Sequence, residues 1–369
     1  MAYRVLHLGK YYPPHLGGME VYLQQLVSHQ AKVMDVAAIV TNDLRHTQVE
    51  FRDGAKITRV ASLGVIASMP VTPTMTWHIH QCKVDLIHLH TPNPGAALAL
   101  LMSQHSGKLI ITHHADTLGR KHLRRLSDPI VRKVMKQSAA IIVTSKRYLE
   151  SSEELAPFRH KCSIIPLGVD DPSSLEAADE ALSQQIRSLY GDRLILAVGR
   201  LVPYKGFEYL IQSMKNVGGT LLLIGRGPSQ GDMQACIKES CVQDKVHMLG
   251  HVDDLVPYYK AASMFVMPSI TRAEAFGVVQ MEAMAAGIPV INTDIPSGVP
   301  EVSVHGQTGF TVPPQNPEAM ADAINLLLDN TVLRQQFGNA ARERVRDRFS
   351  VESMVRQTMD LYETVMGST

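Results

Sequence analysis

Two successive series of short apolar runs, each run followed by a stretch of helical periodicity, restrict what this chain can fold into more than any other feature. In the first half the runs fall near residues 4–9, 33–40, 85–90, 108–112 and 139–144, with helical stretches near 18–30, 95–105, 119–137 and 146–156. Strand, helix and strand in that order make a parallel βαβ unit, and its repetition makes a doubly wound sheet covered on both faces. Over about 166–191 the pattern breaks among small and polar residues, including Pro172, Ser173 and Ser174, which predicts a linker at 171–191. The series then resumes, with strands expected at 194–198, 220–224, 246–249, 264–267 and 290–293. The expected class is α/β, with one Rossmann-like domain over 1–170, a second over 192–350 and a last helix over about 351–366 that could cross back onto the first domain. A chain of 369 residues, 45% of them hydrophobic, can bury two such cores.

Composition narrows the function classes. Met1-Ala2-Tyr3-Arg4 runs straight into the first apolar stretch, so no leader is expected, and no apolar stretch approaches the ~18 residues of a spanning helix. A cytoplasmic protein, soluble or peripheral at a membrane, is the expectation. Cys82, Cys162, Cys236 and Cys241 form no CxxC pair, which fits a reducing compartment and argues against a zinc site. The net charge of +1 hides an asymmetry: residues 1–170 carry 20 Lys and Arg against 12 Asp and Glu, whereas residues 171–369 carry 16 against 23. Part of the basic excess is Arg120, Lys121, Arg124, Arg125, Arg132, Lys133 and Lys136, interleaved with Leu123, Leu126, Ile130, Val131 and Val134. That pattern suits an ordinary solvated helix face, or a face laid against anionic lipid or a pyrophosphate-bearing acceptor. Nucleic acid is not expected, since aromatics are 5% of the chain and none interleave with these charges.

The segment 272–289, RAEAFGVVQMEAMAAGIP, sets Glu274 and Glu282 eight positions apart around an Ala-Phe-Gly turn. Glu274 follows the apolar run 264–267 and should sit at the carboxyl edge of a sheet, where open α/β folds bind ligands. Two such Glu often mark only a wet helix face, but Val278, Val279, Met281, Ala283, Met284, Ala285 and Ala286 surround Glu282, and a buried carboxylate needs a partner. Arg200 and Lys205 follow the run 194–198 and could face the same edge, a rigid fork and a compact charge suited to a departing diphosphate. Gly17-Gly18 opens a helix after the first strand, and Gly225-Arg226-Gly227-Pro228 repeats the arrangement in the second series. Either can cradle a phosphate or can serve only a tight turn. His113, His114 and Asp116 follow the run 108–112. No DxD occurs anywhere, so that pattern of paired metal-binding carboxylates is missing and no metal is expected.

These segments together resemble the retaining family 4 glycosyltransferases of the GT-B architecture, and the resemblance extends over essentially the whole chain. It implies two Rossmann-like domains facing across a cleft, no cofactor, and a nucleotide-sugar donor. By the same resemblance Glu274 and the Phe276-Gly277 backbone orient the sugar, Glu282 holds the ribose, Arg200 and Lys205 stabilise the leaving group, and Gly18 approaches the diphosphate. His114, of the family's His-x-Asp, sits near the sugar, and backbone around His251-Val252-Asp253 reads the base. The likeness is greatest to bacterial enzymes that build surface polysaccharides, many of them mannosyltransferases, which makes GDP-mannose the first choice of donor and a UDP-sugar the alternative. The implied acceptor is a glycan or a polyprenyl-diphosphate-linked chain. Two rival readings stand beside this one. A nucleotide-dependent oxidoreductase suffers from the lack of a GxGxxG in the first βα turn, and a sugar-nucleotide epimerase or silent binding protein is opposed by the full set of charged site residues.

Overall fold

The computed structural model describes residues 3–15, 17–66, 69–116, 121–170 and 180–367, the side chains of residue 69 and of 121–127 excepted. The chain forms two compact units, one of Met1–Gly168 with Val351–Thr369, the other of Val169–Ser350.

Among the described residues the first unit has ten strands: β1 (Val5–Leu8), β2 (Val36–Thr41), β3 (Gln48–Arg52), β4 (Ala55–Val60), β5 (Val65–Ile66), β6 (Met69–Pro70), β7 (Leu86–Thr91), β8 (Lys108–His113), β9 (Ala140–Val143) and β10 (Cys162–Ile164). Eight of them make one sheet in the order β10-β9-β8-β7-β1-β2-β4-β3, parallel except for the antiparallel β3–β4 edge. Every residue of β1, β7 and β9 is buried, as strands covered on both faces must be. The edge hairpin escapes the search for apolar runs because its first strand, QVEFR, is half exposed. Its turn is legible all the same: Asp53 and Gly54 both have positive φ, 54° and 79°, the Asp-Gly signature of a tight hairpin.

The helix Val351–Gly367 belongs to this unit and packs against the helix Gly18–Gln30 and β8. It buries Met354, Val355, Tyr362 and Val365. Tyr362 is fully buried, and its hydroxyl lies 2.5 Å from His88 Nδ1 and 3.4 Å from the donating Gln30 Nε2.

The second unit holds β11 (Leu194–Val198), β12 (Thr220–Ile224), β13 (Val246–Gly250), β14 (Met264–Met267), β15 (Val290–Thr293) and β16 (Gly309–Val312). They form one parallel sheet in the order β13-β12-β11-β14-β15-β16. Ile195, Leu221, Met264, Ile291, Leu210 and Ile324 are among its fully buried core. The stretch expected to be a plain linker, 171–191, contains the helix Glu180–Tyr190. Ser183 and Ile186 are buried there, and Arg187 donates to the carbonyls of Lys260 and Ala261 at the end of the helix Val256–Ala261. Small polar residues masked a segment whose burial comes from one face only.

In each sheet the chain reverses its direction of winding at one place, between β1 and β7 in the first unit and between β11 and β14 in the second. Loops leaving the carboxyl ends of those strands diverge, which opens room for a ligand. Replacing Tyr362 by Phe removes only a hydroxyl but strands Gln30 and His88 in the core. Denaturant unfolding should show the first unit destabilised by about 1–3 kcal/mol.

Candidate functional site

The reversal point of the second unit brings together the loops that follow β11 and β14. Lys205 ends a short 3-10 turn, Pro203–Lys205, and its ammonium pairs with the Glu274 carboxylate, both side chains being about nine-tenths buried. Burial works against a charge on Lys205, yet the charge and hydrogen bond of Glu274 raise its pKa overall. Ser269 Oγ donates to the same Glu274 oxygen at 3.3 Å, and Ile270 N donates to Tyr204 O at 2.9 Å, so the two loops are sewn together on either side of the pair. Gly206 makes this approach possible: its φ is +64°, and a Cβ there would strike the Pro268 carbonyl. Arg200 leaves the same strand, is exposed, and its charge reaches the Tyr204 phenol.

Glu282 lies on the helix Val278–Ala285, whose N-terminus is Gly277 at φ 79°. Tyr259 OH donates to Glu282 Oε2 at 2.8 Å. Burial pushes the Glu282 carboxyl up, and the Asp170 charge adds to this against the opposing Tyr259 hydrogen bond. The Phe276 carbonyl accepts from Gln280 Nε2 at 2.8 Å, and Gln280 in turn accepts from Asn292 Nδ2 at 3.2 Å, so the Phe276-Gly277 backbone is fixed by a fully buried amide pair. Tyr259, Gln280 and Asn292 were not singled out from the sequence. The only advance signal was that a polar residue inside an apolar helix, as Gln280 is, must find a partner.

Gly225 and Gly227 have a local cause. A Cβ on Gly225 would collide with the backbone of Gly199, and one on Gly227 with that of Leu201. The loops after β11 and β12 run in contact there, joined by Leu201 N to Arg226 O at 3.0 Å and Ser229 N to Leu201 O at 3.1 Å. Val252, half-buried after β13, lies between His251 and Asp253, whose side chains meet at 3.1 Å. Arg200, Lys205, Gly225, Gly227, Val252, Glu274, Phe276 and Gly277 thus share one carboxyl edge, and Glu282 sits in the helix that leaves it.

The first unit presents a different chemistry. Gly17 and Gly18 open the helix Gly18–Gln30, but the Glu20 carboxylate already occupies the space that a Cβ on Gly17 would need and takes a hydrogen bond from its own N–H. His114 follows β8, buried and edge-on to Tyr22 with ring centroids 4.8 Å apart. Asp116 is held from three sides: Tyr148 OH and Ser152 Oγ donate to its Oδ1 at 3.0 and 2.6 Å, and His113 Nε2 lies 3.0 Å from it. This carboxylate anchors the end of β8 to the helix Lys146–Ser151. Asn93, after β7, caps the helix Pro94–Ser103 through Oδ1, 3.2 Å from Ala96 N, while its buried Nδ2 has no hydrogen-bond partner among the described residues. The sequence reading did not single it out.

Two doubly wound α/β units, the second with a basic and acidic edge at its reversal point, are the architecture of the GT-B glycosyltransferases. A family model described as glycosyl transferases group 1 matches residues 179–344, and one described as glycosyltransferase family 4 matches residues 16–172. The chain belongs to this family and is a glycosyltransferase. It is 26% identical over 372 residues to the O-antigen chain mannosyltransferase C of Escherichia coli, covering 99% of each chain. It is 27% identical over 355 residues to a D-rhamnosyltransferase of Pseudomonas aeruginosa, covering 94% of this chain and 92% of that one. Among solved structures the sucrose-phosphate synthase of Thermosynechococcus elongatus superposes with a TM-score of 0.83 at 22% identity over 100% of both chains. An Anabaena protein in complex with UDP and glucose gives 0.79 at 19% identity, over 98% of this chain and 100% of that one.

Because the folded-state pKa of Glu282 is raised, the stability it contributes is present below its unfolded pKa and is lost as pH rises through the folded value. Glu282→Gln keeps an acceptor for Tyr259 and removes the charge. Its melting temperature should exceed that of the wild type at pH 8 and match it near pH 4; equal shifts at both would contradict the assignment.

Proposed function

We propose that the chain transfers a hexose, with retention of anomeric configuration and without a metal ion, from a nucleotide sugar to a glycan or polyprenyl-diphosphate-linked acceptor in surface-polysaccharide synthesis. The observation that carries this reading is the buried Lys205–Glu274 pair at the reversal point of the second sheet. A cation and a carboxylate held side by side suit a group that has an anionic diphosphate at one end and sugar hydroxyls at the other. On this reading Lys205 and Arg200 stabilise charge on the departing diphosphate, and Glu274 with the Phe276-Gly277 backbone orients the hexose. Glu282, steadied by Tyr259, takes the ribose, and backbone near Val252 meets the base. His114, with the Gly17-Gly18 turn, serves the reacting sugar and the acceptor from the first unit. The leaving phosphate itself accepts the proton of the attacking hydroxyl, so the reaction needs no nucleophilic triad.

GDP-mannose is the donor this reading favours, supported by the mannosyltransferase of Escherichia coli and by a GDP-mannose-dependent mannosyltransferase of Mycobacterium tuberculosis that is 26% identical over 97% of this chain and 97% of that one. The alternative is a UDP-sugar, favoured by the Anabaena protein's complex. Peripheral binding to a membrane's inner face is assigned to the helix Lys121–Gln137. Within its described part, Arg132, Lys133 and Lys136 are exposed while Val131, Val134 and Met135 are buried; the side chains of Lys121, Arg124 and Arg125, and all of Arg120, lie outside the described residues. Among the described residues no helix is long and apolar enough to cross a membrane.

Lys205→Ala or Arg200→Ala should lower turnover of a nucleotide hexose by about a hundredfold or more. The exposed Arg200 should be replaceable with stability retained, whereas Lys205→Ala, which leaves Glu274 without its counterion, should also lose about 3–5 kcal/mol of stability. Excess EDTA should leave the wild-type rate unchanged, and NMR of the product should show the donor's anomeric configuration. Glu274→Gln frees Lys205 from its counterion: calorimetry should find nucleoside diphosphate bound more tightly, on the order of tenfold, while turnover falls. Weaker binding would remove Lys205 from the diphosphate. Sedimentation with anionic liposomes should capture the protein at low salt and release it at high salt, because such attraction is screened within about 8 Å at physiological ionic strength.

A further inference from the structure

We infer that a row of buried histidines fixes the tautomer of His114, leaving its Nδ1 as a hydrogen-bond acceptor that selects a sugar hydroxyl over a carboxylate. The inference deepens the transferase reading above and rests on it for the identity of the ligand. His7 on β1 lies in register with His88 on β7, and His90 follows two residues on, so all three rings share one face of the sheet. All are fully buried. His7 Nδ1 lies 3.0 Å from His90 Nε2, and His90 Nδ1 lies 3.5 Å from His114 Nε2. The rings of His90 and His114 are stacked 5.7 Å apart.

The direction of this row is set at its far end. Gln30 Nε2 donates to Tyr362 OH, which turns Gln30 Oε1 toward His7 Nε2 at 2.8 Å. An amide oxygen can only accept, so His7 carries its proton on Nε2 and accepts at Nδ1. His90 must then donate from Nε2 and accept at Nδ1, and His114 must donate from Nε2. Burial keeps the row neutral: it lowers the pKa of His7 to about 4 against the Gln30 hydrogen bond, and that of His114 to about 3 with the charge of His113 adding to the effect. His90 is likewise held well below its ordinary range, by burial first and then by its neighbouring histidines.

His7, His88 and His90 are also close enough to hold a metal ion, but every ring nitrogen of the three already faces a protein partner. Those of His88 face Tyr362 OH at 2.5 Å and Thr112 Oγ1 at 2.6 Å. Among the described residues the cluster is therefore a polarised hydrogen-bond chain whose uncommitted lone pair is at His114 Nδ1. A hexose hydroxyl can donate to that nitrogen; an ionised hexuronate carboxylate has no proton to give and meets lone pair with lone pair. His114 touches the sugar on this reading, and His90, His7 and Gln30 are positioning residues.

Long-range proton–nitrogen spectra of the full-length protein labelled with 15N-histidine test this without any substrate, His114→Gln identifying the signal. The wild type should show His114 protonated on Nε2 and bare on Nδ1 at neutral pH. His90→Phe should give an average of both tautomers, with kcat/KM for a nucleotide hexose about tenfold lower and preference over the matching hexuronate reduced. His90→Gln, whose amide oxygen can accept from His114 while its nitrogen donates to His7, should retain the wild-type tautomer and rate. Gln30→Met provides the same loss by removing the acceptor that orients His7, should His90→Phe not fold. A proton on Nδ1 in the wild type, or an unaltered His114 signal in His90→Phe or Gln30→Met, would overturn the inference, as would an unchanged hexose preference once the tautomer has been released. Expected tautomers with no turnover of any nucleotide sugar by the wild type would instead sink the transferase reading and the ligand assigned to His114 with it.

Discussion

A lysine ammonium and a glutamate carboxylate, each largely withdrawn from water and each the other's counterion, make the constraint around which the second unit is arranged. Neither charge could sit at that depth alone, because leaving one buried and unpaired costs several kcal/mol. The pair therefore demands that the loops after β11 and β14 approach within hydrogen-bonding distance, which the left-handed Gly206 and the Tyr204–Ile270 backbone bond bring about. A ligand that takes Lys205 for its phosphate must also give Glu274 a substitute, and sugar hydroxyls can do so. On the function proposed above, binding at this edge would be an exchange of partners, which favours a molecule carrying both groups over one carrying either.

Support for that edge comes from buried neutral groups. Gln280 and Asn292 fix the Phe276 carbonyl, Thr293 donates to the Ser269 carbonyl, and Tyr259 holds Glu282 in its charged geometry. Each satisfied amide or hydroxyl removes a rotamer choice from a residue in contact with the site, and such preorganisation is what electrostatic stabilisation of a leaving group requires. The first unit uses a related device with other residues. Its β1 and β7 carry histidines where a parallel sheet ordinarily carries aliphatic side chains, and Gln30 with Tyr362 closes the network from two helices. Such a polar core is tolerable only because its groups find partners.

The glycines serve two purposes. Gly206 and Gly277 have positive φ in the left-handed region and stand at the charged pair and at the start of the Glu282 helix. Gly225, also at positive φ (145°), and Gly227 permit two backbone segments to touch, as Gly206 does at the Pro268 carbonyl. A glycine after a strand thus carries different information according to its surroundings, and in the second sheet the close approach of two loops accounts for the GxG without any ligand.

The sequence by itself determined the class of fold and the strands that build it, because fully buried parallel strands are continuous apolar runs and their spacing leaves room for only one kind of connection. It also placed charged candidates at the carboxyl edge of the second sheet, since Arg200, Lys205 and Glu274 follow such runs directly and Glu282 lies in an apolar helix. Its apolar runs did not reveal the strands of the β3–β4 hairpin, of which only the Asp53-Gly54 turn is legible, nor β16 or the helix Glu180–Tyr190, whose apolar residues are too few to stand out. Only the tertiary structure decided that Lys205 and Glu274, 69 positions apart, are partners, and that Asp116 anchors a strand end. The same holds for the alignment of His7, His90 and His114 behind Gln30. Periodicity along a chain reports which face of an element is dry, whereas partnership between polar groups depends on distances across elements that only the assembled sheet sets.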